Sequence, residues 1–473
     1  MRIDGLSFRR KRRRDLPIED PLEDLKALIL LGLSMIPDVG AILSTLASLL
    51  WPFSAQDVWE EIRERIEALV NRKIDEAVFS LLHSRLNGIG HSLKLFLRVK
   101  QSGDGELIRM QFVACNTLCV EAASEFRNKD FEWLLAPLFA MFACIHMALL
   151  RDCVLHGREW GMNENVYRVF LEQARQVLAG YSAYLCHVIA REEARLTKDE
   201  PSGGGPHMTD YYQYWQPYKQ QRTVLLDDFQ RILAHLDAEA YPARADNIEF
   251  GDVYSPAYGT ADDWDDVCAG WAKWVTTPFG QPLADMRSIY LEYFNFTPRI
   301  VTMSYYPGNG PKVWGAERTD SCGIIAEEVR GVETACFELP SPGAARGFSL
   351  KKAWVRCGSI PLSLILVPFS GNSLTLWDRR SPSGGDWYAV EVPGRALTTL
   401  TLWARSYYYD SDAGCVIFGF SRDPRHVPER ARVAWYVGTP PGSEAPPGGL
   451  GVGEAAARQE REAFWRAIMQ MRG

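Results

Sequence analysis

Residues 133–150 read WLLAPLFAMFACIHMALL, and no other stretch limits the fold of this chain so tightly. The run is 18 residues long and holds one ionisable side chain, His146. At ~1.5 Å per helical residue it spans about 27 Å, close to the ~30 Å hydrocarbon core of a bilayer. A helix apolar on every side belongs either at the centre of a large helical bundle or in a membrane. The chain around it has an ordinary globular composition, 47% hydrophobic and 23% charged. Its 473 residues suffice for two or three domains.

The net charge of −7 argues against a general nucleic-acid role. Arg9, Arg10, Lys11, Arg12, Arg13 and Arg14 form a basic run with no apolar stretch directly after it. It reads as a solvated tail rather than a secretory signal. The expectation is a soluble protein made without a classical signal peptide, in the cytoplasm or an inclusion of its producer. The ten cysteines include no CxxC pair, and Cys144 with His146 or Cys153 with His156 lacks the paired spacing of a zinc site. Neither a metal nor a cofactor is expected, and the cysteines read as small core residues. No GxSxG elbow, P-loop or HExxH occurs. Residues 451–456 fit GxGxxA loosely, but the βαβ unit that motif needs has no room to follow. No catalytic residue is assigned and no enzymatic activity is expected.

The first half reads as helix. Val58, Ile62, Ile66 and Leu69 form one apolar stripe among charges. Ile74, Val78, Leu82, Leu86, Ile89, Leu93 and Phe96 form a second, broken at Gln101–Gly105. Further helices are expected over 106–125, over the apolar run to about 157, over 164–196 and over 209–236. After Pro242 the texture changes. Trp264–Val275 suggests one short helix. Short runs such as Arg299–Tyr305, Leu362–Phe369, Ala396–Ala404 and Cys415–Phe420 then alternate with Gly, Pro, Ser and Asp clusters, as antiparallel strands do. Residues 439–453 read as a Pro/Gly linker and Glu454–Met471 as a last helix.

Five segments of the helical half, in order, resemble the N-terminal domain of the three-domain Cry δ-endotoxins, the pesticidal crystal proteins. They are LSMIPDVGAILSTLASLLWP (33–52), RIEALVNRKIDEAVFSLLHSRLNG (65–88), LLAPLFAMFACIHMALLRDCVLHGREWG (134–161), NENVYRVF (163–170) with the region 184–186, and TVLLDDFQRILAHLDAEAYP (223–242). The resemblance runs from about Leu30 to Pro242. It implies a seven-helix bundle around a hydrophobic fifth helix. It also implies a pore-forming, insecticidal-type toxin that binds a receptor on a target cell and inserts a helical hairpin into its membrane as a homo-oligomer. The hairpin corresponds to about Glu106–His156. On it, Arg109, Asn116 and Glu121 are candidates for a polar face lining water. Trp133, Leu134, Leu138, Phe142, His146 and Leu150 would lie along the inserted helix, with Arg151 and Asp152 at the interface.

In the second half, ADNIEFGDVYSPAYG (245–259), RIVTMSYYPGNGPKVWGAERT (299–319) and RGVETACFE (330–338) resemble the β-prism of Cry toxins and of jacalin-type lectins. The fold class expected is therefore α+β and multidomain: a basic tail at 1–20, a pore-forming bundle at 21–242, one β-prism-like domain at 243–438, and a linker and helix at 439–473. The family's third, β-sandwich domain is not recognised. Three segments rich in Tyr, Trp, Arg and Gly (305–314, 378–387 and 405–412) are read as recognition loops, with Tyr305, Tyr306, Trp314, Arg379, Trp387, Tyr407, Tyr408 and Tyr409 as candidates for a protein or glycan receptor. The alternative reading is a carbohydrate-binding lectin whose helical half is a scaffold without pore activity. Three exposed sites of activating cleavage are suggested: the Arg9–Arg14 run, 101–105 and 201–206.

Overall fold

The computed structural model describes residues 21–34, 41–51, 57–201, 208–243, 248, 250–260, 286–294, 297–305, 319–322, 333–338, 350–378, 384–407 and 410–422. The helices expected at 264–275 and 454–471 and the basic tail lie outside these residues.

Among the described residues the first half contains nine α-helices. They are α1 (Pro21–Ser34), α2 (Ala41–Leu50), α3 (Val58–Val70), α4 (Glu76–Gln101), α5 (Gly105–Ala122), α6 (Glu132–His156), α7 (Glu164–Leu196), α8 (Met208–Arg222) and α9 (Asp228–His235). Short polar caps set several of their starts. Asp57, Asp75, Asp104 and Asn163 each accept a backbone N–H from the first turn of α3, α4, α5 and α7. The count exceeds the expected seven because the helical sequence is interrupted. The chain leaves α2 ahead of the Trp51-Pro52 break, since the residue before a proline disfavours helix. A π turn at Thr223–Asp227 separates α8 from α9. There Arg222 Nε reaches both carboxylate oxygens of Asp227 at 3.1 Å, five residues on.

The predicted apolar stripes are the buried faces. Ile62 and Ile66 on α3, and Leu82, Leu86, Ile89, Leu93 and Phe96 on α4, all enter one core. Gly90 on α4 is fixed by packing: a Cβ there would lie 2.4 Å from the Trp51 indole, which occupies that space. The supposed cleavage loop between α4 and α5 is only residues 102–104, tied by the Ser102 hydroxyl to the Val99 carbonyl at 2.6 Å and by the Asp104 cap.

The second half is antiparallel throughout its described strands: β1 (Val253–Tyr254), β2 (Tyr258–Gly259), β3 (Met286–Phe294), β4 (Thr297–Tyr305), β5 (Thr319–Cys322), β6 (Glu333–Glu338), β7 (Leu350–Cys357), β8 (Pro361–Pro368), β9 (Leu374–Asp378), β10 (Asp386–Val390), β11 (Arg395–Tyr407) and β12 (Asp410–Arg422). They make a large sheet in the order β1-β12-β11-β7-β8-β9, with β10 on β7 and β2 on β12. A smaller sheet runs β5-β4-β3-β6. Ile289 and Leu291 of the small sheet share a core with Val355, Leu364, Leu366 and Phe418 of the large one.

Charges join the two halves. Asp228, fully buried at the start of α9, accepts from Lys26 Nζ on α1 at 2.9 Å, from Arg395 Nη2 on β11 at 2.9 Å and from the Gly251 backbone N–H at 3.1 Å. Lys26 also reaches Glu23 at 2.8 Å. Burial alone would push the Glu23 carboxyl up, but Lys26 and Arg395 outweigh it and hold its pKa at about 2. Four buried charges, two of each sign, thus close the gap between bundle and sheet.

Candidate membrane-active core and receptor face

Helix α6 is the centre of the bundle. Every residue from Trp133 to Cys153 is buried, including Leu134, Leu138, Phe142 and Leu150. Among the described residues one helix is both long and apolar enough to cross a bilayer, and it is this one. Its 25 residues would extend about 37 Å. Trp133 packs on Tyr218 of α8, and Phe142 stacks on Phe126 at 4.8 Å between ring centres. Cys144 and Cys153 on α6, and Cys115 and Cys119 on α5, are free thiols inside this core.

The one ionisable group of the run has partners on both flanking helices. His146 Nε2 lies 2.9 Å from Asn116 Oδ1 on α5, and Nδ1 lies 2.7 Å from the Tyr181 hydroxyl on α7. Asn116 Nδ2 in turn donates to Gln173 Oε1 on α7 at 3.0 Å. With the Asn116 amide so oriented, its oxygen accepts from Nε2, and Nδ1 accepts from the tyrosine. A neutral ring therefore satisfies each contact, as a buried polar network requires. The network pins α5, α6 and α7 together at one level of an otherwise apolar core.

The ends of α6 are tied by charge. Asp152 meets Lys100 of α4 at 2.9 Å. Arg151 donates to the Asp237 and Ala243 carbonyls at 3.4 and 3.3 Å. Near the other end, the Arg127 guanidinium lies 5.1, 5.4 and 5.1 Å from the rings of Phe139, Tyr181 and Tyr184. It belongs to the short turn Glu125–Arg127 that links α5 to α6, so cation–π contacts hold the hairpin tip against α7.

The three polar candidates on α5 do not share one face in this closed form. Arg109 donates to the Gly161 carbonyl at 3.0 Å, and Asn116, seven residues on, points to the same side and is buried. Glu121 lies about 140° further round, exposed to solvent. The outward face of α5 is mixed: Leu107, Met110, Val113 and Val120 are exposed there together with Glu106, Thr117 and Glu121.

Of the receptor candidates, Trp387 is in strand β10 rather than in a loop, because it pairs with Arg356 of β7. Tyr305 ends β4 and pairs with Met286, and Tyr407 ends β11 opposite Asp410. Tyr306, Trp314, Arg379, Tyr408 and Tyr409 lie outside the described residues.

A bundle closed around one bilayer-length helix and followed by antiparallel sheets makes a two-part fold. The comparisons with known proteins agree. Residues 28–237, most of the helical half, match the family described as delta endotoxin, N-terminal domain. The chain is 27% identical over 250 residues to the pesticidal crystal protein Cry8Ba of Bacillus thuringiensis serovar kumamotoensis, an alignment covering 50% of this chain and 21% of that protein. It is 24% identical over 243 residues to Cry1Ia of Bacillus thuringiensis subsp. kurstaki, covering 50% and 32%. The chain thus spans at most about a third of the length of these relatives. The solved insecticidal delta-endotoxin Cry8Ea1 from Bacillus thuringiensis superposes with a TM-score of 0.60 at 17% identity, over 86% of this chain and 74% of that one. PirB superposes at 0.64 and 14% identity, over 85% and 94%. These superpositions reach beyond the bundle, so the sheet half shares their fold as well.

Proposed function

We propose that this protein is a pore-forming toxin of the pesticidal type. In this reading the sheet half binds a receptor on a target-cell surface, and the bundle opens there. The hairpin α5–α6 then enters the membrane and oligomerises into a pore. The observation that carries the reading is α6: 25 residues, buried along its length, in a domain of delta-endotoxin type. Its apolar surface suits lipid once α5 and α7 separate from it. Helix α5 adds a mixed outer face to the hairpin, on which Glu121 stands among Leu107, Met110, Val113 and Val120, and carries Asn116 inward. Those polar groups need the company of other copies, which supports an oligomer. Arg151 and Asp152 end the apolar stretch where a headgroup layer would begin.

The test is dye release from liposomes by protease-treated protein, with and without target-membrane extract. A cysteine pair joining α6 to α7, in a background without the native thiols, is expected to block release when oxidised and restore it on reduction. Full release by the oxidised protein would refute insertion of the hairpin.

A further inference from the structure

The turn that joins α5 to α6 places one cation in a box of aromatic rings. The Arg127 guanidinium carbon lies 5.1 Å from the Phe139 ring centre on α6, and 5.4 and 5.1 Å from those of Tyr181 and Tyr184 on α7. All fall within the ~6 Å over which a ring face attracts a cation. The Phe139 ring plane stands at 75° to Tyr181 and 76° to Tyr184, so the rings form walls rather than a stack. Phe139 and Tyr181 are buried, whereas Arg127 and Tyr184 are only half-buried, so the box opens to solvent on their side.

Arg127 fills this box without being satisfied in it. Its Nε and the Tyr184 hydroxyl are both buried, and neither has a hydrogen-bond partner. The nearby carboxylates are engaged elsewhere. Glu125 of the same turn pairs with Arg85 of α4 at 2.8 Å, and Glu132 at the start of α6 pairs with Arg191 of α7. A guanidinium holds its N–H donors in a fixed fork that matches a phosphate or carboxylate. Ring faces offer those donors nothing comparable, and suit a cation that has no N–H to satisfy.

We propose that this cage is a binding site for a phosphocholine group, with Arg127 as its resident substitute. The quaternary ammonium enters the rings and leaves no donor unmet there. Arg127 turns out of the box and meets the phosphate of the same group, which gives its Nε the acceptor it lacks. Charge is conserved in the exchange, since one cation leaves the rings as another enters. A phosphoethanolamine group fits less well, because its ammonium keeps N–H donors that the walls cannot accept. The site belongs to the closed bundle and does not depend on the pore reading. Its consequence bears on that reading: the ligand displaces the cation that holds the hairpin tip against α7.

The experiment is titration calorimetry of the full-length chain with phosphocholine and with O-phosphoethanolamine, which lacks the N-methyl groups. Phosphocholine should bind about tenfold more tightly. Arg127→Ala empties the cage, so choline should bind this variant about tenfold more tightly than it binds the native chain, and raise its melting temperature. The uncharged isostere of choline, with carbon in place of nitrogen, should do neither. Tyr184→Leu in the same background keeps an apolar wall without a ring face and should abolish the gain. Arg127→Gln, which keeps the stem, serves if the alanine variant does not fold. Equal affinity for the two phosphate esters, or none for either, overturns the proposal. So does an emptied cage that prefers choline no more than its uncharged isostere, the sign of a plain cavity. Vesicles decide the source of the ligand. Sedimentation with phosphatidylcholine vesicles that free phosphocholine reverses assigns a lipid headgroup, and phosphocholine binding without sedimentation assigns a soluble ester. Binding by a chain that releases no dye leaves this site standing and removes only the pore.

Discussion

The buried quartet of Glu23, Lys26, Asp228 and Arg395 gives the sharpest quantitative test. Asp228→Asn removes a negative charge that two cations, each within 2.9 Å, both use. Lys26 and Arg395 are 1% and 4% exposed, so neither can turn to water without moving a helix or a strand. Breaking one partner of a buried pair costs about 3–5 kcal/mol, chiefly through the charge left behind. At roughly 2–4 °C per kcal/mol for a domain of this size, the melting temperature should fall by about 6–20 °C. The quartet also has an internal symmetry. Glu23 and Lys26 are a neutral pair on α1, and Asp228 with Arg395 is a second neutral pair. Lys26→Met should therefore destabilise more than the double change Glu23→Gln with Lys26→Met, which leaves a balanced pair. The acid response follows from the same contacts. An unfolded chain binds the Glu23 proton at the ordinary carboxylate pKa of 4.5, the folded chain only near 2. Ionised Glu23 thus stabilises in full above pH 4.5, and its contribution is lost as pH falls from 4.5 towards 2. Urea titrations of the native chain, these three variants and Glu23→Gln alone, at pH 7 and pH 3, measure all of this. Additive costs at pH 7, or a double variant less stable than Lys26→Met, would refute charge balance as the reason for the arrangement.

Other expected outcomes are simpler to read. Gly88 and Gly90 stand two residues apart on α4, and a methyl group on Gly88 meets nothing within 4 Å. Gly88→Ala should stabilise by about 1 kcal/mol through helix propensity, while Gly90→Ala should destabilise by about 1–3 kcal/mol by forcing out Trp51; opposite shifts in the urea midpoint check this. Tyr181→Phe leaves His146 Nδ1 without its donor inside the core and should cost about 1–3 kcal/mol. If bundle opening limits pore formation, the same variant shortens the lag in dye release.

Much of the helical half was legible from local pattern. Asp104 and Asn163 start α5 and α7 where a capping residue precedes an apolar rhythm, and α6 follows the 18-residue run. The interruption at Thr223–Asp227 was not legible, because a π turn preserves the apolar positions around it. Long-range pairing was equally hidden. Nothing in one sequence states that Lys26 and Asp228, 202 residues apart, form an ion pair. A hint existed: Lys26 falls on the stripe of Leu22, Ile29 and Leu33, where a lone charge needs a partner. In the sheet half, Trp387 was placed in a loop because Ser381, Pro382 and two glycines precede it, and only pairing with β7 reveals the strand. That pairing with Arg356 depends on register, which no local pattern encodes. Tyr181, Gln173 and Arg127 were missed for the same reason, since each matters for what it touches on another helix.

The free thiols of the core have a use that needs no engineering. Cys115, Cys119, Cys144 and Cys153 are sealed between α5 and α6 and their neighbours, whereas Cys186 and Cys336 are exposed. A thiol reagent should label the exposed pair at once and the sealed four only when the hairpin parts from the bundle. Cys357 is buried in the sheet half and reports that half, while Cys415 shares a buried cluster with Tyr212 of α8 and reports the junction of sheet and bundle. The native chain thus carries its own stopwatch, in which the mass added to each peptide over time tells which half loosened first when it met a membrane.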